Sequence, residues 1–362
     1  MHICFISGEI FAFGKYGGFG RATRVIGSEL VKRNHQVSAI VPRRNHQKPI
    51  EELDGITVYS FPKTRLDKAA RLYHAINADV YHSQEPSFGT WLAQRVRPHA
   101  KHVVTCRDAR GPDDWVIEQD HPTISRLATR LTRIYEYNPL VSSAVRRADY
   151  TGCAAHIVGE KARQVYGLDR CPDFLPTPIP LPNPSPKAEK PTVCFLSRWD
   201  ARKRPELFFD LAPEFPDVQF IAAGLAHDPR RDADLRTRYG NQPNLDLLPL
   251  LNQFEDRAYH DVLSKSWIMV NTALREGLPN SFMEAASYGC AVLGGVNPDS
   301  FCSRFGDVAR EDDFAGGLNR LLEGNTWKER GQAGRNFVAN TFEKDNVLNL
   351  HLDIYNRVVS TP

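Results

Sequence analysis

From residue 176 to residue 186 every second position is proline: Pro176, Pro178, Pro180, Pro182, Pro184 and Pro186. Proline fixes φ and has no backbone N–H, so neither a helix nor a central strand can run through this stretch. It reads as a linker near the middle of a 362-residue chain, and each side must then build its own core. At about 100–200 residues per domain, this length supports two domains.

On both sides of the prolines, short apolar, β-branched runs alternate with amphipathic stretches, the pattern of βα units around a parallel sheet. Residues 3–7, 36–41, 57–60, 79–82, 102–105 and 150–153 read as strands before the divide, and 192–196, 218–223, 245–248, 267–271 and 291–294 after it. The pattern predicts an α/β protein of two Rossmann-like domains, residues 1–178 and 179–344, facing each other across a cleft at the carboxyl ends of their strands, where such sheets bind ligands. Residues 345–359 carry Leu348, Leu352, Tyr355 and Val359 at three- and four-residue steps. That predicts a last helix packed back on the first domain by one apolar face.

Composition excludes more than it assigns. Lys plus Arg number 46 and Asp plus Glu 43, a net +3, so the chain is no polycation for wrapping nucleic acid, and nucleic-acid-binding motifs are absent. The charge is uneven: residues 1–180 hold 25 basic and 18 acidic side chains (+7), residues 181–362 hold 21 and 25 (−4). An anionic partner or membrane surface for the first half is one reading of that excess, and simple solubility is the other. Seven cysteines without a C-x-x-C pair read as thiols in a reducing compartment. MHICFISGEIF lacks the basic start and cleavage site of a signal peptide, and no window reaches the ~18 apolar residues of a membrane span. The expected location is cytoplasmic, or peripheral at the inner face of a membrane.

Three loops, each directly after a strand, carry residues suited to chemistry. The first is Gly14-Lys-Tyr-Gly-Gly-Phe-Gly-Arg21, whose glycines let backbone approach a ligand and turn helix N-terminal N–H groups toward an anion. Thr23 stands where the dinucleotide fingerprint needs a small glycine-like residue, so nicotinamide binding is disfavoured, and a bare tight turn remains the other reading. The second, Leu196-Ser-Arg198-Trp-Asp-Ala-Arg-Lys203, offers two cations able to neutralise a diphosphate without a metal, or else a solvated basic loop. The third runs from Arg275-Glu276 through Asn280 and Ser281, either of which can cap a helix, to Glu284 in its first turns. Carboxylates at a strand-end crevice can accept hydrogen bonds from sugar hydroxyls; a capping role is the alternative.

EGLPNSFMEAASYGCAV, with its E-x7-E pair Glu276 and Glu284, resembles the signature of retaining nucleotide-sugar glycosyltransferases of the GT-B fold, in particular family 4. GGFGRATRVIGSELVKRNHQVSAIVP, containing Gly17, Gly18 and Gly20, resembles that family's N-terminal loop and helix, and LSRWDARKRPEL its arginine and lysine motif. The likeness covers essentially the whole chain. It implies that Arg198 and Lys203 grip the donor diphosphate and that Glu276 bonds the donor sugar. Gly277, Leu278, Pro279 and Asn280 would lie beside sugar and phosphate, Glu284 on the nucleotide ribose, and Gly17 and Gly18 against the diphosphate and sugar. The base is implied near residues 248–250. The donor would be a UDP-, GDP- or ADP-sugar, the acceptor a carbohydrate, a lipid-linked or a small molecule bound mainly by the first half, and neither cofactor nor metal is expected. A GT-B epimerase or phosphorylase, or a catalytically silent sugar-nucleotide-binding protein, are the alternatives.

The chain departs from the family at two places. Many members carry T-x-H after the fourth strand where this chain has Thr105-Cys106-Arg107-Asp108, which makes Arg107 and Asp108 candidate sugar or acceptor contacts and points to a charged acceptor. The usual hinge P-N-G is replaced by Pro176-Thr177-Pro178. His82 follows a strand and is a further candidate for the acceptor side, while the twelve scattered histidines show no metal-ligand spacing. Residues 123–136 place Arg126, Arg130 and Arg133 on one side and Leu127, Leu131 and Ile134 on another. A basic amphipathic helix can lie on anionic lipid; the pattern is read here as a surface helix packed on its own sheet.

Overall fold

A computed structural model of the chain describes residues 1–14, 16–44 and 46–361. They form two compact units. The first contains residues 1–111, 131–178 and the chain from Lys344 onward; the second contains residues 112–130 and 179–343.

The first unit is built on eight strands: β1 (His2–Ile6), β2 (Gln36–Pro42), β3 (Ile50–Leu53), β4 (Ile56–Phe61), β5 (Val80–Ser83), β6 (Lys101–Cys106), β7 (Tyr150–Cys153) and β8 (Asp173–Phe174), in the order β3-β4-β2-β1-β5-β6-β7-β8. All neighbours are parallel except β3 with β4. Ile3 and Phe5 of β1 belong to the core on one face of the sheet, and Cys4 and Ile6 to the core on the other. A strand covered on both faces needs such an unbroken apolar run. The last helix, Lys344–Ser360, supplies Leu348, Ile354, Tyr355 and Val358 to the first of these cores. Val359, expected on its apolar face, is exposed, and Val358 is buried instead.

The second unit carries six parallel strands: β9 (Thr192–Leu196), β10 (Gln219–Ala223), β11 (Leu245–Leu248), β12 (Ile268–Asn271), β13 (Ala291–Gly294) and β14 (Gly306–Val308), ordered β11-β10-β9-β12-β13-β14. Its core gathers Phe195, Trp199, Phe208, Phe209 and Phe220. In each sheet the order reverses beside the first strand, between β1 and β5 and between β9 and β12. Such a switch point splays the strand-end loops apart and opens room for a ligand.

Four expectations need correction. Residues 112–130, expected in the first domain, group with the second unit, because the helix Pro112–Asp120 is tied there by buried ion pairs described below. Strands β3, β8 and β14 lie outside the expected set: β8 and β14 are two and three residues long, too short to show a period, and β3, Ile-Glu-Glu-Leu, is a partly exposed edge without an apolar run. The stretch expected as a linker is packed at its start, with Leu175 to Ile179 buried and the Ile179 N–H donating to the Phe342 carbonyl over 2.8 Å. Finally, no residue of the helix Arg126–Glu136 is buried, so the expectation that its apolar side packs on a sheet does not hold.

Candidate functional site

The loops that leave β9 and β12, adjacent strands in the sheet, are stitched together by their own backbone and side chains. The Thr272 hydroxyl donates to the Lys203 carbonyl (2.6 Å), the Leu274 N–H to the Arg202 carbonyl (3.1 Å), and Arg204 Nε to the Thr272 carbonyl (2.8 Å). A short 3₁₀ turn, Ala201–Lys203, ends in Arg204 at φ 46° before the helix starting at Pro205. This turn aims Lys203 into the unit, where its Nζ donates to Glu276 Oε1.

Lys203 and Glu276 are thus a nearly buried ion pair, and neither charge could persist there alone. Burial pulls the Lys203 ammonium below its ordinary value, while Glu276 works to keep it charged. Burial also opposes the charge on Glu276, but Lys203 and Arg202 outweigh it and hold the carboxyl below the usual range. Asn271 Nδ2 donates to the same Oε1 over 3.3 Å. Among the described residues no protein donor takes Glu276 Oε2.

Arg198 is 27% exposed at the side chain, and its Nη1 lies 3.1 Å from Asp200 Oδ2 and 3.3 Å from His227 Nδ1. Asp200 also accepts the His227 backbone N–H (2.9 Å). Burial disfavours the Asp200 charge, yet the bonds from His227 and the nearby Arg198 hold its carboxyl below the usual range. The Arg198 Nε and Nη2 meet no protein acceptor among the described residues, so one guanidinium edge stays available for an anion. Gly224 makes this turn possible, since a Cβ there would run into the Ser197 carbonyl and the Trp199 ring.

Behind the site lies a set of charges that motif reading missed. Arg202 Nη1 donates to Glu118 Oε1; Arg275 Nη1 reaches the same oxygen over 2.8 Å, and Arg275 Nε reaches Asp114 Oδ1 over 3.1 Å. All four side chains are about one-tenth exposed or less. Arg202 immediately precedes Lys203, and Arg275 immediately precedes Glu276. Two carboxylates one helical turn apart, on Pro112–Asp120, therefore hold both candidate loops. The i, i+4 spacing of Asp114 and Glu118 was the available signal, but nothing in the sequence says which arginines it meets.

Gly277, Leu278, Pro279 and Asn280 form a half-buried turn into the helix Asn280–Ser287. Pro279 is the N-cap, and no side chain caps the helix, contrary to the role expected for Asn280 or Ser281. Glu284 lies in its second turn, buried, and accepts a hydrogen bond from the Tyr259 hydroxyl. Leu248 and Leu250 remain partly exposed at the end of β11, whose Leu247 carbonyl accepts from Arg236 Nη1 (3.2 Å). The Arg236 guanidinium stacks 4.3 Å from the Trp199 ring centroid.

In the first unit, the loop after β1 leads into the helix Gly18–Lys32 with Gly17 as its N-cap. Glu9 Oε1 accepts the Gly20 N–H (3.2 Å), and a Cβ on Gly17 would collide with the Glu9 carboxyl. The helix N-terminus expected to face a phosphate thus already holds a carboxylate of the chain itself. At the ends of β5 and β6, His82 is fully buried, its Nδ1 2.7 Å from the Tyr355 hydroxyl and its Nε2 2.7 Å from the Thr105 hydroxyl. Both ring nitrogens are thus spent inside this unit. Arg107 is also buried and donates to Gln84 Oε1 (2.7 Å) and Thr177 Oγ1 (2.8 Å), so its guanidinium is committed inside the fold. Asp108 pairs with Arg110 at 3.0 Å. Beside them, Glu85 Oε2 accepts the backbone N–H groups of Arg107 (2.6 Å) and Asp108 (3.0 Å). Burial, reinforced by Asp108 and Glu136, pushes the Glu85 carboxyl up to about 8.

Comparison with known proteins follows the division of the chain. The family model described as Glycosyltransferase Family 4 matches residues 16–181, and that described as Glycosyl transferases group 1 matches residues 181–336. Sucrose-phosphate synthase from Thermosynechococcus elongatus shares the fold over 100% of both chains at 16% identity (TM-score 0.77). HepE from Anabaena, solved in complex with UDP-glucose, covers 99% of this chain and 100% of its own at 14% identity (TM-score 0.71). The catalytic domain of starch synthase IV from Arabidopsis thaliana, bound to ADP and acarbose, covers 99% of each chain at 12% identity (TM-score 0.64). No curated protein sequence matches this one.

Proposed function

For a chain that belongs to the family 4 and group 1 glycosyltransferases of the GT-B fold, we propose a retaining, metal-independent transfer of a hexosyl group from a UDP-, GDP- or ADP-sugar to a carbohydrate, lipid-linked or small-molecule acceptor. One observation carries the assignment of residues. Among the described residues the stitched loops after β9 and β12 leave an Arg198 edge and Glu276 Oε2 without protein partners, while Lys203 is held on Glu276 Oε1. Cations and a sugar-directed carboxylate are therefore held in place before any donor arrives.

The chemistry follows from where charge develops. As the bond from the anomeric carbon to the diphosphate breaks, negative charge grows on the leaving phosphate, and Arg198 and Lys203 stabilise it without reorganising. Glu276 Oε2 accepts a donor-sugar hydroxyl and orients the ring, and Glu284 serves the ribose. The acceptor hydroxyl attacks the same face the diphosphate leaves, its proton passing to a departing phosphate oxygen. Stereochemistry is retained with no carboxylate nucleophile. The seven cysteines are free and six are buried, which supports a cytoplasmic location as part of the same reading.

The test is product analysis with each donor class in turn. An α-linked product from an α-sugar nucleotide, formed equally well with chelator present, is the expected result; an inverted product, free sugar, or strict dependence on inorganic phosphate contradicts it.

A further inference from the structure

The helix Arg126–Glu136 presents its large apolar side chains to solvent: Leu127 is 68% exposed, Leu131 58% and Ile134 64%. At ~100° per residue these three fall within an arc of roughly 60°, and Arg126 and Arg130 occupy the adjoining arc. The opposite side anchors the helix. There Glu136 accepts from Arg110 Nη1 at 3.0 Å, and Tyr135, flanking the apolar row, adds a contact with Phe88 at 6.4 Å between ring centroids. The apolar edge continues past the helix in Tyr137 and Leu140. Single exposed leucines are ordinary, but an entire helix that buries none of its residues and displays a row of them marks a surface that meets something.

The geometry points to a bilayer carrying anionic phospholipid as the partner of this helix. Residues 121–147 contain five arginines, no lysine and a single acidic residue, Glu136, which is held by Arg110. A basic amphipathic helix lies in the interface with its apolar row at the headgroup boundary and its guanidinium groups on phosphates. A second copy fits poorly: a two-fold contact through this face would set the same arginines against each other. Among the described residues no helix is long and apolar enough to cross a membrane, so the attachment is peripheral. With three apolar anchors and two outward arginines it is reversible and weakened by salt.

The full chain is sedimented with phosphatidylcholine vesicles and with phosphatidylcholine vesicles containing phosphatidylglycerol. Pelleting with the anionic vesicles alone, reversed by high salt, is expected. Arg126→Gln/Arg130→Gln weakens partitioning about 25-fold, at about fivefold for each arginine. Leu127→Ser/Leu131→Ser/Ile134→Ser abolishes it while the unfolding temperature and nucleotide binding stay unchanged, since these side chains hold no core; the outcome is therefore separable from that of the donor assignment. Failure of the wild-type chain to pellet with anionic vesicles, or equal pelleting with neutral ones, overturns the inference. So does a solution dimer that the triple-serine variant dissociates, which would make a second copy the occupant.

Discussion

Lys203 and Glu276 are each tolerable in a low-dielectric surrounding because the other is there. Their pairing also sets what each removal does. Lys203→Ala strips one stabiliser of the leaving phosphate and leaves Glu276 uncompensated; Arg198→Ala removes the other cation. Turnover in either variant should fall by a factor on the order of 10² or more, and wild-type turnover measured with saturating donor would remove the residue from the mechanism. Glu284→Gln should act instead on donor KM, leaving kcat largely intact. At Glu118 the effect begins as stability. Glu118→Gln leaves Arg202 and Arg275 short of a buried counter-charge, a loss of about 3–5 kcal/mol on the scale of broken buried pairs, read by chemical denaturation of the second unit. In the first unit the titrating groups set opposite limits. His82 and His351 are buried neutral, His351 pulled down to about 3 and His82 well below 6.5 by burial, with nearby charge adding to it. Their unfolded forms take up protons first, so stability is full above about pH 6.5 and drains as pH falls below it. Glu85, raised to about 8 from 4.5, has the opposite sign: the folded state holds the extra proton, so stability declines as pH rises from about 4.5 toward 8. Glu85→Gln should flatten that alkaline limb in thermal melts recorded against pH, and an unchanged limb would assign it to another group.

At the scale of elements, the site depends on how loops leave strands. A Cβ at Gly224 meets backbone at Ser197, which has nowhere to retreat. Gly224→Ala should therefore shift the Ser197–Arg198 turn, cost about 1–3 kcal/mol as an overpacked site, and weaken nucleotide binding measured by calorimetry. The last helix places Leu348, Ile354, Tyr355 and Val358 in the first unit's core, and its Tyr355 bonds His82. These elements differ in how far they were legible. Strands buried on both faces announced themselves through continuous apolar runs, and the three motifs fell at strand ends because parallel sheets put ligand loops there. The grouping of residues 112–130 with the second unit was illegible for a physical reason: it rests on which buried arginine meets which carboxylate, and four charged residues in a sequence do not state their partners. The exposure of the helix Arg126–Glu136 is illegible for another reason. Its period was right, but periodicity says which side chains share a face and not whether that face is covered. The Glu9 contact with the Gly20 N–H has no sequence signature, because a lone glutamate near a glycine-rich turn carries no spacing signal.

At the scale of the whole molecule, the proline-rich stretch and the doubled βα pattern point to two α/β units of the GT-B fold, and the three motifs to the family. The +7 and −4 halves acquire separate explanations. In the second, the cations in and behind the candidate site are matched by carboxylates: Arg202 and Arg275 by Glu118 and Asp114, Lys203 by Glu276. In the first, the excess is partly that of the arginine-bearing helix, and Arg107, which suggested a charged acceptor, spends its hydrogen bonds on Gln84 and Thr177. The acceptor is the less legible partner because loop side chains, unlike strand-end motifs, carry no spacing signal. The donor side makes the firmer commitment, and calorimetric titration of the chain with UDP, GDP and ADP in the presence of chelator tests it most directly. The account predicts that at least one nucleoside diphosphate binds and that Arg198→Ala/Lys203→Ala abolishes the heat; binding of none, or equal binding by the double variant, contradicts it.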